Sequence, residues 1–318
     1  MTQSDFAIYV FSHNRGDTLD LALASCLRNF PQARTHIVDD HSDCPQTVSV
    51  IQKWQDHVEQ LDIPEQFTGG DSSNQTRGGL HTNMQVAIEH ADSLDYRYAL
   101  FLQDDMQFVR PFEERDQDDV RSYFFANLDA QSLHVTFDPF HSEPGPGEWE
   151  WDPSRRALLP GKRAQRKSVF SCVDLFQVKR FLALSGNFAA TEQENVRLAS
   201  ENFLVRGVLY SPLSMFLPYP RTCANRRARS TTRRIACRIA EKLAGSGVHP
   251  FLDMDAPTVE AMRSRARVSP ARAREWLTCP TLQELQYWSY YGGLRDLRAR
   301  GRLGGFAATL LGAREPKW

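Results

Sequence analysis

The stretch Tyr98-Ala-Leu-Phe-Leu-Gln-Asp-Asp-Met-Gln-Phe-Val-Arg110 passes abruptly from apolar to acidic. Its first part, Tyr98 to Leu102, has the length and apolar richness of a strand buried on both faces. It then stops on Gln103-Asp104-Asp105. Two adjacent carboxylates cannot both stay in a core unpaired, because burying an unpaired charge is very costly. They are therefore expected at the strand's carboxyl end, in water or on a cation. In open α/β sheets that end is where ligands bind. An oxygen-rich pair there suits a hard divalent ion that bridges carboxylates to phosphate oxygens. An isolated Asp-Asp is more often a plain acidic loop, so the weight rests on the chain around it.

Upstream, Phe6-Ala-Ile-Tyr-Val-Phe11 is another continuous apolar run and reads as a first buried strand, ending in Ser12-His13-Asn14-Arg15-Gly16. Leu19, Leu23, Cys26, Leu27 and Phe30 then recur at helical spacing, and Pro31 stops the helix. Thr35 to Val38 reads as a second strand, closed by Asp39-Asp40-His41-Ser42-Asp43. Val48, Ile51, Trp54, Val58 and Leu61 form a second helical stripe, and a weaker strand signal covers Ile63 to Phe67. After a loop bracketed by Gly69-Gly70 and Gly78-Gly79, a third stripe runs through Leu80, Met84, Ala87, Ile88 and Ala91. Strand and helix alternating in this way predict a parallel sheet with helices on its faces. The polar clusters at 12–15, 39–43 and 103–105 all follow strands, so they are expected on one edge of that sheet. Neither a Gly-x-Gly-x-x-Gly turn nor a Walker loop follows the first strand, so phosphates would need a different partner.

Composition sets the bounds. The 318 residues suffice for one large α/β domain with an appendage. No apolar run approaches a membrane span. The first residues lack the basic start and apolar core of a signal peptide, and the six cysteines are scattered. That argues against a disulfide framework or a zinc site built on cysteine pairs, and leads us to expect reduced thiols and a cytoplasmic protein. The net charge of −1 hides an asymmetry. Residues 1–150 carry 9 basic and 26 acidic side chains, 9 − 26 = −17, and the remainder carries 29 and 13, 29 − 13 = +16. An anionic partner would meet the back half.

With these motifs in place, the chain resembles the GT-A fold glycosyltransferases, closest to the family 2 type. The polar turn Ser12-His13-Asn14-Arg15 matches the one after that family's first strand. Val38-Asp39-Asp40-His41-Ser42 matches the second strand's end, whose acidic residue reads the nucleotide base. Arg77-Gly78-Gly79 and Asn83 stand where the family has a glycine and then a helix carrying Asn. Phe101-Leu102-Gln103-Asp104-Asp105-Met106 stands at its Asp-x-Asp metal motif. Gln103 departs from the motif's first acid, as in the Glu-Asp-Asp variant of some animal N-acetylglucosaminyltransferases, where the last Asp ligates the metal. The resemblance thus implies Mn2+ or Mg2+ on Asp105, with Gln103 and Asp104 near the ribose and Arg15 and Arg77 on phosphates or ribose. It also implies a nucleotide-sugar donor, a UDP-sugar above all, and a hexosyl or N-acetylhexosaminyl transfer to a glycan or lipid-linked acceptor.

Further along, Leu133 to Phe137 alternates as a strand. His141 to Lys167 has no period; its Trp149 and Trp151 would stack on a sugar or sit on an ordinary hairpin edge. Leu182 to Phe188 followed by Thr191-Glu-Gln-Glu-Asn195 resembles the family's glycine, Phe and then Glu-Asp, whose carboxylate is the general base of inverting members. Glu194-Asn195 and Glu192-Gln193 compete for that place, and Thr191-x-x-Glu194 is also a plain capping box. His249 is the one histidine after His141 and stands where such enzymes often have a further metal ligand, although a lone histidine is more often a packing residue.

From these motifs we expect a GT-A domain over 1–222, split into a nucleotide-sugar half at 1–110 and an acceptor half at 111–222. A basic, mainly helical region is expected over 223–318. Its basic helices and the aromatics of Tyr287 to Tyr291 fit a solvated or domain-packing face first and peripheral contact with the inner membrane face second; no nucleic-acid motif is present. Two rival readings stand beside a transferase. One is a sugar-phosphate nucleotidyltransferase, which needs a glycine-rich basic loop that Ser12 to Gly16 does not provide. The other is a non-catalytic binding protein, kept in view by the amides Gln103 and Asn195.

Overall fold

The computed structural model describes residues 5–63, 79–137, 149–154, 156–161, 170–202, 204–217, 248–266 and 269–281. The chain divides into two units, residues 1–215 with 253–276, and residues 216–252 with 277–318. The expected boundary at 222 lies outside the described residues.

The first unit is built on a nine-stranded, mostly parallel sheet in the order β3-β2-β1-β4-β9-β6-β10-β8-β7. The strands are β1 (Phe6–Ser12), β2 (Arg34–Asp39), β3 (Glu59–Leu61), β4 (Tyr98–Gln103), β6 (Ala130–His134), β7 (Trp149–Asp152), β8 (Ala157–Pro160), β9 (Asp174–Gln177) and β10 (Val205–Leu209). β1 pairs in parallel with both β2 and β4, whereas β9 runs antiparallel to β4 and β6. A short pair of strands, β5 (Met106–Phe108) and β11 (Ser214–Phe216), stands apart from it.

Strand order reverses at β1. The chain steps outward through β2 and β3, then returns across to place β4 on β1's other side. Right-handed crossovers put the helices on opposite faces on either side of such a reversal, and a crevice opens between the two strands. The helices that flank it are α1 (Gly16–Asn29) and α3 (Leu80–Ser93). Each presents the stripe its sequence predicts: Leu19, Leu23 and Cys26 are fully buried on α1, and Met84, Ala87, Ile88 and Ala91 on α3. Between the sheet, α3 and α5 (Val178–Ser185) lies a core rich in aromatics, including Tyr9, Phe11, Phe101, Phe176, Phe181 and Phe188. Phe181 and Phe188 stack at 4.2 Å, and Phe101 meets Phe11 edge-on at 5.2 Å. Fully burying each such side chain contributes about 1.5–3 kcal/mol.

α2 (Pro45–Trp54) begins with proline in its first turn. It is shorter than the stripe through Val58 and Leu61 implied. The chain leaves the helix after Trp54, whose carbonyl accepts from both His57 and Val58, and Leu61 belongs to β3. The strand expected at Ile63 to Phe67 lies, after Ile63, outside the described residues. Likewise the strand expected over Leu133 to Phe137 is β6, ending at His134, with Thr136 making only an isolated bridge to Ser214. Trp149 and Trp151 take the hairpin alternative, since β7 pairs with β8 and packs against Tyr210.

The start of α1 is held tightly against the start of α2. A Cβ on Gly16 would fall 2.7 Å from the backbone carbon and oxygen of Gln46 and 2.8 Å from the Thr47 nitrogen. Those atoms are backbone and cannot swing aside. Gly16→Ala is expected to lower stability by about 1–3 kcal/mol, the usual penalty of overpacking, read as a fall in melting temperature with an unchanged circular-dichroism spectrum.

Candidate active site at the carboxyl edge of the sheet

The loops after β1, β2 and β4 are tied to one another by hydrogen bonds. Asn14, in the left-handed region at φ 56°, donates through Nδ2 to Asp43 at 2.8 Å, and its Oδ1 accepts from the Asp43 and Cys44 amides at 3.0 and 2.8 Å. Its own amide donates to Ser42 Oγ at 2.8 Å. Ser42 in turn donates to both oxygens of Asp39, at 2.6 Å from its hydroxyl and 2.8 Å from its amide. Asp40 donates its amide to the Ser12 carbonyl, and its carbonyl lies 2.8 Å from His13 Nδ1. Asn14 and Asp39 are thus the struts of this edge. The Asp40 carboxylate makes no hydrogen bond among the described residues.

Asp104 and Asp105 lie at the reversal point between β1 and β4. They are more buried than the sequence suggests, at 4% and 1% exposed. The expectation that both must leave the core is thus corrected: a guanidinium, which the motif did not name, is what allows their burial. Arg15, arriving from the end of β1, places Nη1 3.0 Å from Asp104 Oδ1 and 3.1 Å from Asp105 Oδ2. The His13 amide adds a bond to Asp104 at 3.1 Å. Burial still dominates and pushes the Asp104 carboxyl up to about 7, against the pull of Arg15 and with Asp105 adding to the rise. The donor set is two adjacent carboxylates of hard oxygen at a ligand-binding edge, which fits a divalent cation of the Mg2+ or Mn2+ class.

Gln103 points the other way along the edge, donating Nε2 to Cys172 Sγ at 3.3 Å. The Cys172 thiol is pushed up to about 12 by burial and by the nearby negative charge of Glu192, so it stays protonated. Glu192 also acts on His81 in the first turn of α3; burial lowers that imidazole's pKa and Glu192 opposes it. The His81 ring is hydrogen-bonded to the Ala190 backbone, which ties α3 to the segment leading into α6 (Glu192–Glu201). Glu192 is thereby within electrostatic reach of Cys172, which accepts from Gln103. Glu194 is placed differently. Its amide is capped by Thr191 Oγ1 at 3.2 Å, and its carboxylate pairs with Arg197 at 3.6 Å. Asn195 is buried and structural, holding the Ala189 amide and the Ala189 and Thr191 carbonyls.

Asn83 is buried in the first turn of α3. Arg77 lies outside the described residues. His249 belongs to the second unit, where its Nδ1 is 2.8 Å from Thr281 Oγ1.

A buried cluster at the same edge escaped the sequence reading. Asp174, at the start of β9, accepts from Arg206 Nε at 2.6 Å and Nη2 at 3.0 Å. It also accepts from Ser132 Oγ at 2.6 Å, and His134 Nδ1 stands 2.8 Å away. Burial alone would raise its carboxyl; Arg206 and His134 together hold it far below the ordinary range. Burial and Arg206 lower the pKa of the His134 imidazole against the pull of Asp174, and its Nδ1 faces a carboxylate that can only accept. The signal was present as an aspartate opening the apolar run Asp174-Leu-Phe, but nothing local names its partners.

No protein-family model and no curated protein matches the chain. Among solved structures it is similar to S. aureus TarS, with a TM-score of 0.45 and 14% identity over 81% of this chain. It spans 42% of the TarS chain. It is also similar to the mannosyltransferase PcManGT from Pyrobaculum calidifontis, solved in complex with GDP-Man and Mn2+, with a TM-score of 0.41 and 14% identity over 98% of this chain and 79% of that one. A third likeness is to a cytidylyltransferase from Leptospira borgpetersenii, with a TM-score of 0.36 and 11% identity over 63% of this chain and 72% of that one.

Proposed function

We propose that the protein is a metal-dependent glycosyltransferase that moves a sugar from a nucleoside diphosphate, a UDP-sugar in the first instance, to a glycan or lipid-linked acceptor with inversion. The observation that carries this reading is the buried Asp104–Asp105 pair at the strand reversal, bridged by Arg15. A site that gathers two carboxylates and a guanidinium, with neither a Gly-x-Gly-x-x-Gly turn nor a Walker loop after its first strand, is suited to a diphosphate brought in with a divalent ion. Asp105 would hold that ion; when bound, Mn2+ or Mg2+ neutralises charge on the departing diphosphate. Asp39 is committed to Ser42, which leaves Asp40 to accept from the base. In that role Gln103 would leave Cys172 and, with Asp104, meet the ribose, while Arg15, Arg77 and Asn83 serve the phosphates and the ribose. Glu192 takes the proton of the attacking acceptor hydroxyl. The basic 223–318 region is where a lipid-linked acceptor at an anionic membrane face would be met; no helix of the described residues is long and apolar enough to cross a membrane.

The test is turnover on a panel of nucleotide-sugars and, separately, of sugar phosphates with nucleoside triphosphates. The expected result is Mn2+- or Mg2+-dependent release of a nucleoside diphosphate from one nucleotide-sugar, abolished by chelation. Release of pyrophosphate from a triphosphate would instead identify a nucleotidyltransferase, and tight nucleotide binding without any turnover a binding protein.

A further inference from the structure

A second group of ligand-type side chains lies on the sheet away from the aspartate pair. The strand register places Tyr9, His36 and Glu59 side by side on three neighbouring strands, with Tyr9 opposite His36 and His36 opposite Glu59. Cross-strand partners in register point to the same face. His90 comes down on that face from α3, its ring 5.0 Å from that of His36. One ring nitrogen of each histidine and one oxygen of Glu59 all lie within 4.8 Å of one another.

Three features point to a ligand for this group. His36 is fully buried, yet neither of its ring nitrogens has a hydrogen-bond partner among the described residues. A buried polar atom without a partner costs about 1–3 kcal/mol, so such atoms are rare. His36 Nδ1 also stands 3.4 Å from Glu59 Oε2. Two donors bound about 2.0–2.1 Å from one tetrahedral zinc are about 3.3 Å apart. The third feature is orientation. The Tyr9 hydroxyl is 2.9 Å from His90 Nδ1, an outer hydrogen bond of the kind that fixes the tautomer of a ligating histidine. Glu59 is 64% exposed on the edge strand, so an ion has a way in.

We propose that His36, Glu59 and His90 form a second cation site, distinct from Asp105, that takes a zinc-class ion. Two imidazoles and one carboxylate are borderline ligands that suit Zn2+, Co2+ or Ni2+, whereas Mg2+ and Ca2+ prefer all-oxygen sets. With three protein ligands the fourth position is left for water. The ion ties the three-residue edge strand β3 to β2 and to α3, so its role is to secure the edge of the nucleotide half.

The experiment uses the full chain, stripped of metal by chelation and dialysis. It is titrated with Zn2+ by calorimetry and with Co2+ by visible absorption, alongside Glu59→Gln, His36→Gln and Asp105→Asn. The expected result is one zinc bound per chain at this site, the visible bands of four-coordinate Co2+, and a melting temperature that climbs with zinc. Glu59→Gln changes an exposed edge residue and is expected to fold normally while weakening zinc binding by more than about tenfold. Asp105→Asn leaves the Co2+ spectrum unchanged. Zinc affinity and Co2+ bands that survive intact in folded Glu59→Gln, or the absence of both in the wild type, would overturn the site. Glu59→Gln keeps the question open to decision even where His36→Gln, altered inside the core, fails to fold.

Discussion

Replacing Glu192 by Gln is expected to lower sugar transfer by about 10²–10⁴-fold, the range for loss of a general base, while nucleotide affinity stays within about threefold. The amide keeps the shape of the side chain and its hydrogen-bonding oxygen but cannot take the acceptor's proton. Two observations favour Glu192 for the proposed role. Its charge acts on Cys172, which is bonded to Gln103 beside the aspartate pair, and on His81 at the head of α3. Glu194, two residues on, is engaged with Arg197 along the helix. An exposed ion pair of this kind contributes about 0–1 kcal/mol, so Glu194→Gln is expected to leave transfer within about threefold of wild type. Steady-state rates of both variants, with nucleotide affinities measured in parallel, check this. A large loss in Glu194→Gln with a silent Glu192→Gln would reverse the assignment.

The second large effect is on stability. Asp174→Asn is expected to cost about 3–5 kcal/mol, because removing one partner of a buried ion pair leaves the other charge uncompensated. The charge left behind is Arg206, which now donates to Asp174 through two nitrogens. Ser132 and His134 lose their shared acceptor as well. Denaturant unfolding of the two proteins at neutral pH gives the difference directly. The sign of its pH dependence follows from the depressed carboxyl of Asp174. Its stabilisation is fully present above the unfolded value of about 3.9 and disappears as pH falls below it toward the folded value. The gap between wild type and Asp174→Asn should therefore be constant near neutrality and close below about pH 4. A gap of under 1 kcal/mol at pH 7 would mean that the cluster is solvated rather than structural.

The half of the fold that could be read in the chain is the half built from repeating local signals. β1 and β4 are unbroken apolar runs, β2 brings Ile37 and Val38 up to its acidic end, and α1 and α3 carry clean helical stripes, so the common edge of Arg15, Asp40 and Asp105 followed from alternation alone. What could not be read depends on partners distant in sequence. Asp104 and Asp105 are buried because Arg15 meets them across 89 and 90 residues. β9 is a four-residue strand that opens on a buried charge, and its assignment rests on Arg206 rather than on its own composition. The preference for Glu192 over Glu194 in the proposed role rests on its charge acting on His81 and Cys172, which lie on other elements. The end of α2 was misjudged because Val58 and Leu61 keep helical spacing by coincidence after the helix has given way to β3.

The most direct measurement is calorimetric titration of a panel of nucleoside diphosphates, with and without Mn2+, on wild type and on Asp105→Asn. A site for a nucleotide-sugar at the Asp104–Asp105 edge predicts that one nucleotide binds with a clear preference, that Mn2+ strengthens binding, and that Asp105→Asn removes the metal's contribution while the protein remains folded. If no nucleoside diphosphate binds under any condition, or if binding is indifferent to both Mn2+ and Asp105, the glycosyltransferase reading of this edge is contradicted.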